Sequence, residues 1–127
     1  MLMLTGSAYA LPSSRDTSLY APSFQSNVAF IGNTVRASYY GIRDGFAGRF
    51  TASGQRFNPN GLTAAHRTLP FGTRVQVSYK GRSVVVVIND RGPAAFTGRS
   101  LDLSYGAARE LGLVPAGTGV VQMRVLG

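Results

Sequence analysis

Residues 73–93 read TRVQVSYKGRSVVVVINDRGP and predict two paired β-strands that end in a polar turn. In the first half, Val75, Val77 and Tyr79 alternate with polar residues, which is the pattern of a half-buried strand. Lys80 and Gly81 predict a tight turn. The continuous apolar run over 84–88 predicts a second strand that is buried on both faces. The stretch therefore predicts a hairpin and makes the chain predominantly β.

Four more strands are predicted outside this hairpin, over residues 34–40, 62–65, 99–103 and 119–126. One short helix is predicted over 105–111, with Ser104 as its N-cap and Gly112 as the residue that stops it. Long loops rich in Gly, Asn and Pro join these elements, and binding residues concentrate in such loops. Many short strands with one short helix predict a mainly β chain that closes into a small barrel.

The composition excludes several classes of protein. The chain has 127 residues, of which 44% are hydrophobic, and this length suits one domain. The absence of cysteine excludes disulfide scaffolds, thiolate zinc sites and cysteine nucleophiles. A single histidine excludes multi-histidine metal sites, and no apolar run approaches the roughly 20 residues that span a bilayer. We expect no metal, no cofactor and no stable membrane insertion.

The chain is strongly basic, with a formal charge of +8 and a sequence pI near 10.9. Twelve of the thirteen basic residues are arginine, whose planar fork suits carboxylate and phosphate groups. The charge favours an anionic partner such as nucleic acid, a membrane surface or an acidic polysaccharide. No stretch has five or six adjacent basic residues, which argues against a nucleic-acid-binding tail. A genome that prefers arginine codons explains the same composition.

Residues 1–32 differ from the rest of the chain. Ala8-Tyr9-Ala10 has the small-x-small form of a signal-peptidase site, although no basic residue precedes it. We interpret 1–32 as the end of a signal peptide and a loose Ser-, Pro- and Asn-containing leader, and 33–127 as the folded domain. The alternative is an ordinary disordered N-terminus. The first interpretation predicts an exported protein.

Carboxylate chemistry in this chain has only five candidates: Asp16, Asp44, Asp90, Asp102 and Glu110. Asp90 directly follows the most apolar strand, where loss of contact with water favours a protonated carboxyl that can act as a proton donor. The alternative is that Asp90 only caps backbone amides in a turn. Asp102 is expected to assist the helix N-terminus, Asp44 to lie in a loop without a partner, and Glu110 to face solvent.

Five segments together resemble one family, the rare lipoprotein A (RlpA)-like double-psi β-barrels, which share their six-stranded barrel with expansins. The segments are ASYYG at 37–41, TASG at 51–54, LTAAHRTLPFGT at 62–73, VINDRGP at 87–93 and LDLS at 101–104. The resemblance covers roughly residues 36–126. It implies a six-stranded double-psi barrel with one short helix.

The resemblance also implies an activity, which is lytic cleavage of peptidoglycan glycan strands, with a preference for strands that lack stem peptides. In that reaction the sugar's own 6-hydroxyl is the nucleophile and leaves a 1,6-anhydro end, so one carboxyl group can act as acid and base. Asp90 would be that group, and His66 would orient it or polarise the substrate, unless this lone histidine is only a hydrogen-bonded structural group. The other residues expected to contact substrate are Arg67 and Arg91, which would hold the lactyl carboxylates, together with Tyr40, Thr51 and Gln55. We expect a monomer, exported to the periplasm or cell envelope, that binds peptidoglycan glycan strands and not nucleic acid.

One residue departs from the family pattern. Lytic members usually carry glutamate after the Thr-Ala-Ser-Gly segment, and this chain has Gln55 there. Glutamine exchanges hydrogen bonds but cannot carry a proton. The alternative function is therefore a non-catalytic module that binds or loosens the cell wall, as expansins do.

Overall fold

Six β-strands and one α-helix make up the part of the chain that the computed structural model describes, residues 32–127. The strands are β1 (Asn33–Tyr40), β2 (Thr63–Ala65), β3 (Arg74–Tyr79), β4 (Arg82–Asp90), β5 (Leu101–Ser104) and β6 (Gly119–Val125). Helix α1 spans Tyr105–Leu111, and a short 3-10 turn spans Ala95–Thr97. All six predicted strands and the predicted helix are therefore present. The predicted signal-peptide remnant and leader lie outside the described residues, apart from Gly32.

The strands close into a barrel in the order β1-β5-β2-β4-β3-β6. Two of the six pairings are parallel, β1 with β5 and β2 with β4, and the other four are antiparallel. Two connections each pass over one intervening strand: the loop after β1 leads past β5 to β2, and the segment after β4 leads past β2 to β5. Of the residues singled out for function, these two crossing segments carry Thr51, Gln55 and Arg91.

The prediction that the apolar run of β4 is buried on both faces is wrong. Val84, Val86 and Ile88 are buried, whereas Val85 and Val87 remain 41% and 36% exposed. A barrel wall is a single sheet closed on itself, so alternate residues face the core and the outside. The run of valines reflects the fit of branched side chains to a strand rather than burial on both sides.

The helix closes one end of the core. Ser104 Oγ accepts a hydrogen bond from the Ala107 backbone N–H, and Gly112 ends the helix in a left-handed conformation with φ 76°. Its buried face, Ala107, Ala108 and Leu111, packs with the inward-facing strand residues. The predicted cap and stop are both confirmed.

A β-bulge in β4 determines where Asp90 points. Ala64 of β2 pairs with Ile88, but the next residue, Ala65, pairs with Asp90, so Asn89 is an additional residue on β4. Ile88 and Asn89 are both buried, and Asp90 emerges on the outside of the barrel. Such a bulge re-aims the side chain that follows it.

Candidate functional site

Residues of four adjacent strands form a polar row on the outer face of the barrel. The strand register pairs Ala65 with both Asp90 and Asp102, and it pairs Asp102 with Ser38. Paired residues project from the same face of a sheet, so Ser38, Asp102, Ala65 and Asp90 share one face. Leu101 and Leu103, on either side of Asp102, are fully buried in the core. Two carboxyl groups therefore flank Ala65, with Cα atoms about 10 Å apart because each strand spacing is about 4.8 Å.

Three donors hold the Asp90 carboxylate. The backbone N–H groups of Ala52 and Arg91 both donate to Oδ1 at 2.9 Å, and the Tyr40 hydroxyl donates to Oδ2 at 3.1 Å. The Ala52 contact brings the 51–55 loop against the end of β4. The carboxylate is thereby fixed in one orientation at the rim of the barrel.

Tyr40 reaches Asp90 across the two strands that separate β1 from β4. Its ring stacks on Phe57 at a centroid distance of 4.6 Å and meets Phe46 edge-on at 5.8 Å. Burial, and then the neighbouring Asp90 carboxylate, raise the pKa of Tyr40 well above its usual value. The phenol therefore keeps its proton and serves as a fixed hydrogen-bond donor.

Asp102 is the second carboxyl group of the polar row. Its Oδ1 accepts a hydrogen bond from Ser38 Oγ at 2.9 Å, and the Arg99 Nη1 donates to that same hydroxyl. Burial raises the pKa of Asp102, while the Ser38 hydrogen bond and the Arg99 charge act in the opposite direction. The expectation that Asp102 assists the helix N-terminus is wrong, because it lies within β5 and the first turn of α1 contains no acid.

His66 follows β2 and is hydrogen-bonded within its own loop. Its Nδ1 accepts from the backbone N–H groups of Thr68 and Leu69, both at 3.1 Å. Partial burial, and then the charges of Arg67 and Arg91, lower the pKa of His66. At neutral pH the ring is therefore uncharged, with its remaining proton on Nε2.

The two arginines predicted to bind substrate have different surroundings. Arg67 Nη1 donates to the backbone carbonyls of Pro93 and Arg99, at 2.9 and 2.8 Å, and ties the 90–99 segment to β2. Arg91 lies over the Phe71 ring at 3.9 Å and donates to the His66 carbonyl at 3.3 Å. Arg91 is exposed beside the carboxylate that it follows.

The 51–55 loop is held by its own hydrogen bonds. Thr51 is buried, and its Oγ1 contacts Ser53 Oγ at 2.9 Å and the Gln55 carbonyl at 3.1 Å. Gln55 is exposed and, with Ser53, Phe71 and Asn89, lines a surface cavity of about 260 Å³. The loop thus presents Gln55 next to the strand that carries Asp90.

Comparison with known proteins assigns this barrel to a family. The family model described as lytic transglycolase matches residues 33–125. The chain belongs to the lytic transglycolase family. The double-psi barrel fold implied by the resemblance is thereby confirmed.

Two cyanobacterial relatives of this family member are each named probable endolytic peptidoglycan transglycosylase RlpA. The protein from Nostoc sp. (strain PCC 7120) is 64% identical over 94 residues, which are 72% of this chain and 25% of the relative. The protein from Synechocystis sp. (strain PCC 6803) is 60% identical over 93 residues, 71% of this chain and 28% of the relative. The chain therefore spans about a quarter of the length of these relatives.

Solved structures share the fold of this family member at lower identity. Streptomyces papain inhibitor superposes with a TM-score of 0.62 at 22% identity, over 76% of this chain and 96% of that one. Cerato-platanin 3 from M. perniciosa gives a TM-score of 0.53 at 18% identity, over 75% of this chain and 95% of that one. These likenesses concern the barrel alone.

The structure brings together the predicted site residues around Asp90. Tyr40 contacts the Asp90 carboxylate directly. The backbone N–H of His66 donates to the Asp90 backbone carbonyl at 3.2 Å, and the Arg91 guanidinium donates to the His66 carbonyl. Thr51 and Gln55 are one residue and three residues from Ala52, whose N–H reaches the carboxylate. That these residues bind or transform a substrate stays a prediction.

Sequence reasoning missed three residues of the site, Asp102, Ser38 and Arg99. The alternation Leu101-Asp102-Leu103 is a signal that Asp102 faces outward, but only the strand order shows that it lies beside Asp90. Asp44 was also expected to lack a partner, and this is wrong because it accepts hydrogen bonds from the N–H groups of Gly41 and Phe46 at 2.6 and 3.1 Å.

Residues 32–127 contain neither a membrane-spanning helix nor a cluster of metal-binding side chains. Within that range no helix is long and apolar enough to cross a membrane. The same part of the chain brings together no group of three or more His, Asp or Glu side chains that could hold a metal ion.

Proposed function

We propose that this domain is an endolytic peptidoglycan transglycosylase, which cuts glycan strands and leaves 1,6-anhydro-muramic ends. Membership of the lytic transglycolase family and the names of its relatives support this activity. The observation that carries the proposal is the Asp90 carboxylate, which a bulge turns outward and three donors fix at the rim of the barrel.

The transglycosylase reaction requires one proton donor and one proton acceptor. The 6-hydroxyl oxygen of muramic acid attacks its own C1, the bond from C1 to the glycosidic oxygen breaks, the leaving oxygen gains a proton and the attacking hydroxyl loses one. Asp90 is the group that we propose exchanges protons with the substrate, and one correctly placed group of this kind contributes about 10²- to 10⁴-fold. His66, uncharged and with its proton on Nε2, is suited to donate a hydrogen bond to substrate rather than to accept a proton.

The remaining contacts follow from charge. The exposed Arg91 guanidinium lies beside Asp90, where it can pair with the lactyl carboxylate of a muramic acid unit. Removal of the stem peptide leaves that carboxylate free, which supports a preference for strands without stem peptides. We further propose that Arg67, Tyr40, Thr51 and Gln55 shape the glycan site, and that the protein acts as a monomer in the periplasm or cell envelope, with no cofactor and no nucleic-acid partner.

A second function, binding of glycan without cleavage, is favoured by Gln55. The side chain lines the cavity next to Asn89 and Phe71, and an amide there can hold a sugar hydroxyl but cannot carry a proton. In this alternative the barrel is a wall-binding module.

One assay separates the two functions. The purified chain is incubated with glycan strands stripped of stem peptides, and the products are analysed by mass spectrometry, with a pull-down on the same glycan in parallel. The enzyme is expected to release 1,6-anhydro fragments. Pull-down without any anhydro product would establish the binding module instead.

A further inference from the structure

We propose that Asp102 is a second catalytic residue, the acid that protonates the leaving glycosidic oxygen, while the Asp90 carboxylate takes the proton of the attacking 6-hydroxyl. This inference rests on the transglycosylase activity proposed above and divides its two proton transfers between two residues.

The position of Asp102 supports this role. It lies on the same outer face as Asp90 and is separated from it by one residue, Ala65, through the pairings of β2 with β4 and β5. Tyr40 contacts Asp90 and lies close enough to Asp102 for both carboxylates to raise its pKa. Enzymes that cleave glycosidic bonds with two carboxyl groups place them about 5 to 9.5 Å apart, one on each side of the bond. Two strand spacings put the Cα atoms about 10 Å apart, close to the upper end of that range.

The two carboxyl groups have opposite surroundings. Asp90 receives three hydrogen bonds, an arrangement suited to the residue proposed as the proton acceptor. Asp102 is partly buried, and burial raises its pKa, although the Ser38 hydrogen bond and the Arg99 charge oppose this shift. A difference in surroundings between two neighbouring carboxyl groups is the usual basis for assigning one acid and one base.

Ser38 and Arg99 hold Asp102 in place for this role. The guanidinium of Arg99 donates to Ser38 Oγ, so the Ser38 hydroxyl proton is directed to Asp102 Oδ1. This arrangement orients Oδ1 toward β1 and leaves Oδ2 as the oxygen that would carry the transferable proton. Ser38 and Arg99 are accordingly positioning residues, because they act through Asp102.

The step balances without any further reactant. Asp102 gives its proton to the glycosidic oxygen as the bond from C1 to that oxygen breaks. The C6 oxygen forms its bond to C1 and loses its proton to Asp90. Each turnover moves one proton from Asp102 to Asp90, and exchange with water restores both groups. Asp102 thereby supplies the proton-carrying group that Gln55 cannot provide.

A substrate that needs no protonated leaving group tests the assignment. The parent, Asp102→Asn, Asp90→Asn and, as a control, Glu110→Gln are compared on stem-stripped glycan and on a muramyl glycan with 4-nitrophenol at C1. Glu110 is an exposed acid on the helix and is not one of the residues of the polar row. Nitrophenolate leaves without gaining a proton. The nitrophenyl substrate therefore restores the activity of a variant that lacks the catalytic acid, but not of one that lacks the catalytic base.

For Asp102→Asn we expect about a 100-fold or greater loss on stripped glycan and a loss of less than about fivefold on the nitrophenyl substrate. Asp90→Asn should lose both activities and Glu110→Gln neither. The parent should also lose activity on stripped glycan as pH rises through the raised pKa of Asp102, and Asp102→Asn on the nitrophenyl substrate should lack this alkaline limb.

The inference is overturned if Asp102→Asn cuts stripped glycan at the parental rate, or if it loses both substrates equally while its circular dichroism and melting temperature stay parental. If Asp102→Asn does not fold, Ser38→Ala carries the test. It must show a smaller loss on stripped glycan that the nitrophenyl substrate again restores, and an equal loss on both would overturn the assignment. If the unmutated protein cuts neither substrate, the proposed function itself is contradicted. That result is distinguishable from failure of the Asp102 assignment because it is seen without any variant.

Discussion

The contact of Tyr40 with Asp90 joins two residues that are 50 positions apart in the chain. Tyr40 is the last residue of β1, and its side chain extends past two strands to donate to Asp90 Oδ2 at 3.1 Å. Its ring packs against Phe57 and Phe46. The ring packing and the hydroxyl contact are separable, because phenylalanine keeps the first and removes the second. The hydroxyl is therefore expected to position the carboxylate.

The variant Tyr40→Phe tests this role. A hydrogen bond to a charged group contributes about 1.5–3 kcal/mol, so we expect a loss of about 10- to 100-fold in kcat on stripped glycan with little change in KM. Steady-state kinetics on fragments of defined length measure both constants. A loss confined to KM would instead make Tyr40 a substrate contact.

His66 offers a measurement that needs no resonance assignment, because the chain has one histidine. Partial burial and the two flanking arginines lower its pKa, so its imidazole signals should titrate with a midpoint below the ordinary value of about 6.5. The folded state then disfavours the protonated ring. The contribution of the uncharged His66 ring to the free energy of unfolding is therefore complete above pH ~6.5 and is lost as the pH falls through the folded-state pKa.

The same NMR titration on Arg91→Gln provides the matched comparison. Removing one flanking positive charge should move the midpoint upward. If the His66 signals of the unmutated protein titrate with a midpoint at or above about 6.5, the lowered pKa is contradicted.

At this scale, the sequence pointed to Asp90 and His66, and the family resemblance pointed to Tyr40, but neither assigned a functional role to Asp102. A carboxylate after an apolar strand and a lone histidine in a polar loop are visible as local patterns. The neighbours of Asp102 are Ser38, 64 residues away, and Asp90 across an intervening strand, and no local pattern carries that information.

Among the elements, helix α1 depends on one glycine for its contact with the chain before β2. The Gly106 N–H donates to the Pro59 carbonyl at 2.7 Å, and a Cβ at Gly106 would lie 2.7 Å from the Asn60 carbonyl oxygen. Backbone atoms cannot move aside as a flexible side chain does. The helix therefore reaches the loop only because residue 106 has no side chain.

Gly106→Ala should destabilise the fold by about 1–3 kcal/mol, even though alanine favours a helix over glycine by about 1 kcal/mol. Chemical denaturation monitored by circular dichroism gives the free energy of unfolding. Glu110→Ala, at an exposed position of the same helix, should change it by less than about 0.5 kcal/mol. A more stable Gly106→Ala protein would contradict the close approach.

Element bounds were predictable where the chemistry is local. The helix runs from Tyr105 to Leu111 as predicted, because Ser104 and Gly112 are terminal signals that act within one turn. The burial of β4 was not predictable from its valines, because exposure of Val85 and Val87 depends on barrel closure. The bulge at Asn89 has the same origin, since it exists only in the pairing with β2.

At the scale of the whole molecule, composition and patterning predicted a small, mainly β barrel, and the six-stranded double-psi architecture came from the resemblance of five segments. Strand order is the part that local patterns do not contain, because β1 and β5 pair across more than sixty residues. Once the order is known, the two crossing segments and the polar row follow from it.

The net charge of +8 permits an alternative partner that can be tested directly. Several arginines are engaged within the fold, among them Arg56 with the Gly48 carbonyl, Arg67 with two carbonyls and Arg82 with the Glu110 carbonyl. We therefore expect weak binding of duplex DNA even at ~50 mM salt, measured by fluorescence anisotropy. Tight binding at that salt, falling steeply by ~200 mM, would indicate a nucleic-acid-binding protein instead.

The central claim is that the Asp90 carboxylate carries out proton transfer on a bound glycan strand. The most direct test is the rate at which Asp90→Asn releases 1,6-anhydro products from stem-stripped glycan, measured by mass spectrometry with pull-down on the same glycan. Asparagine keeps the size and an acceptor oxygen for the Ala52 and Arg91 donors, while its amide NH2 faces the Tyr40 hydroxyl, and it cannot carry the proton. We predict a fall of about 100-fold or more with parental binding. A variant that cuts at the parental rate would contradict the account.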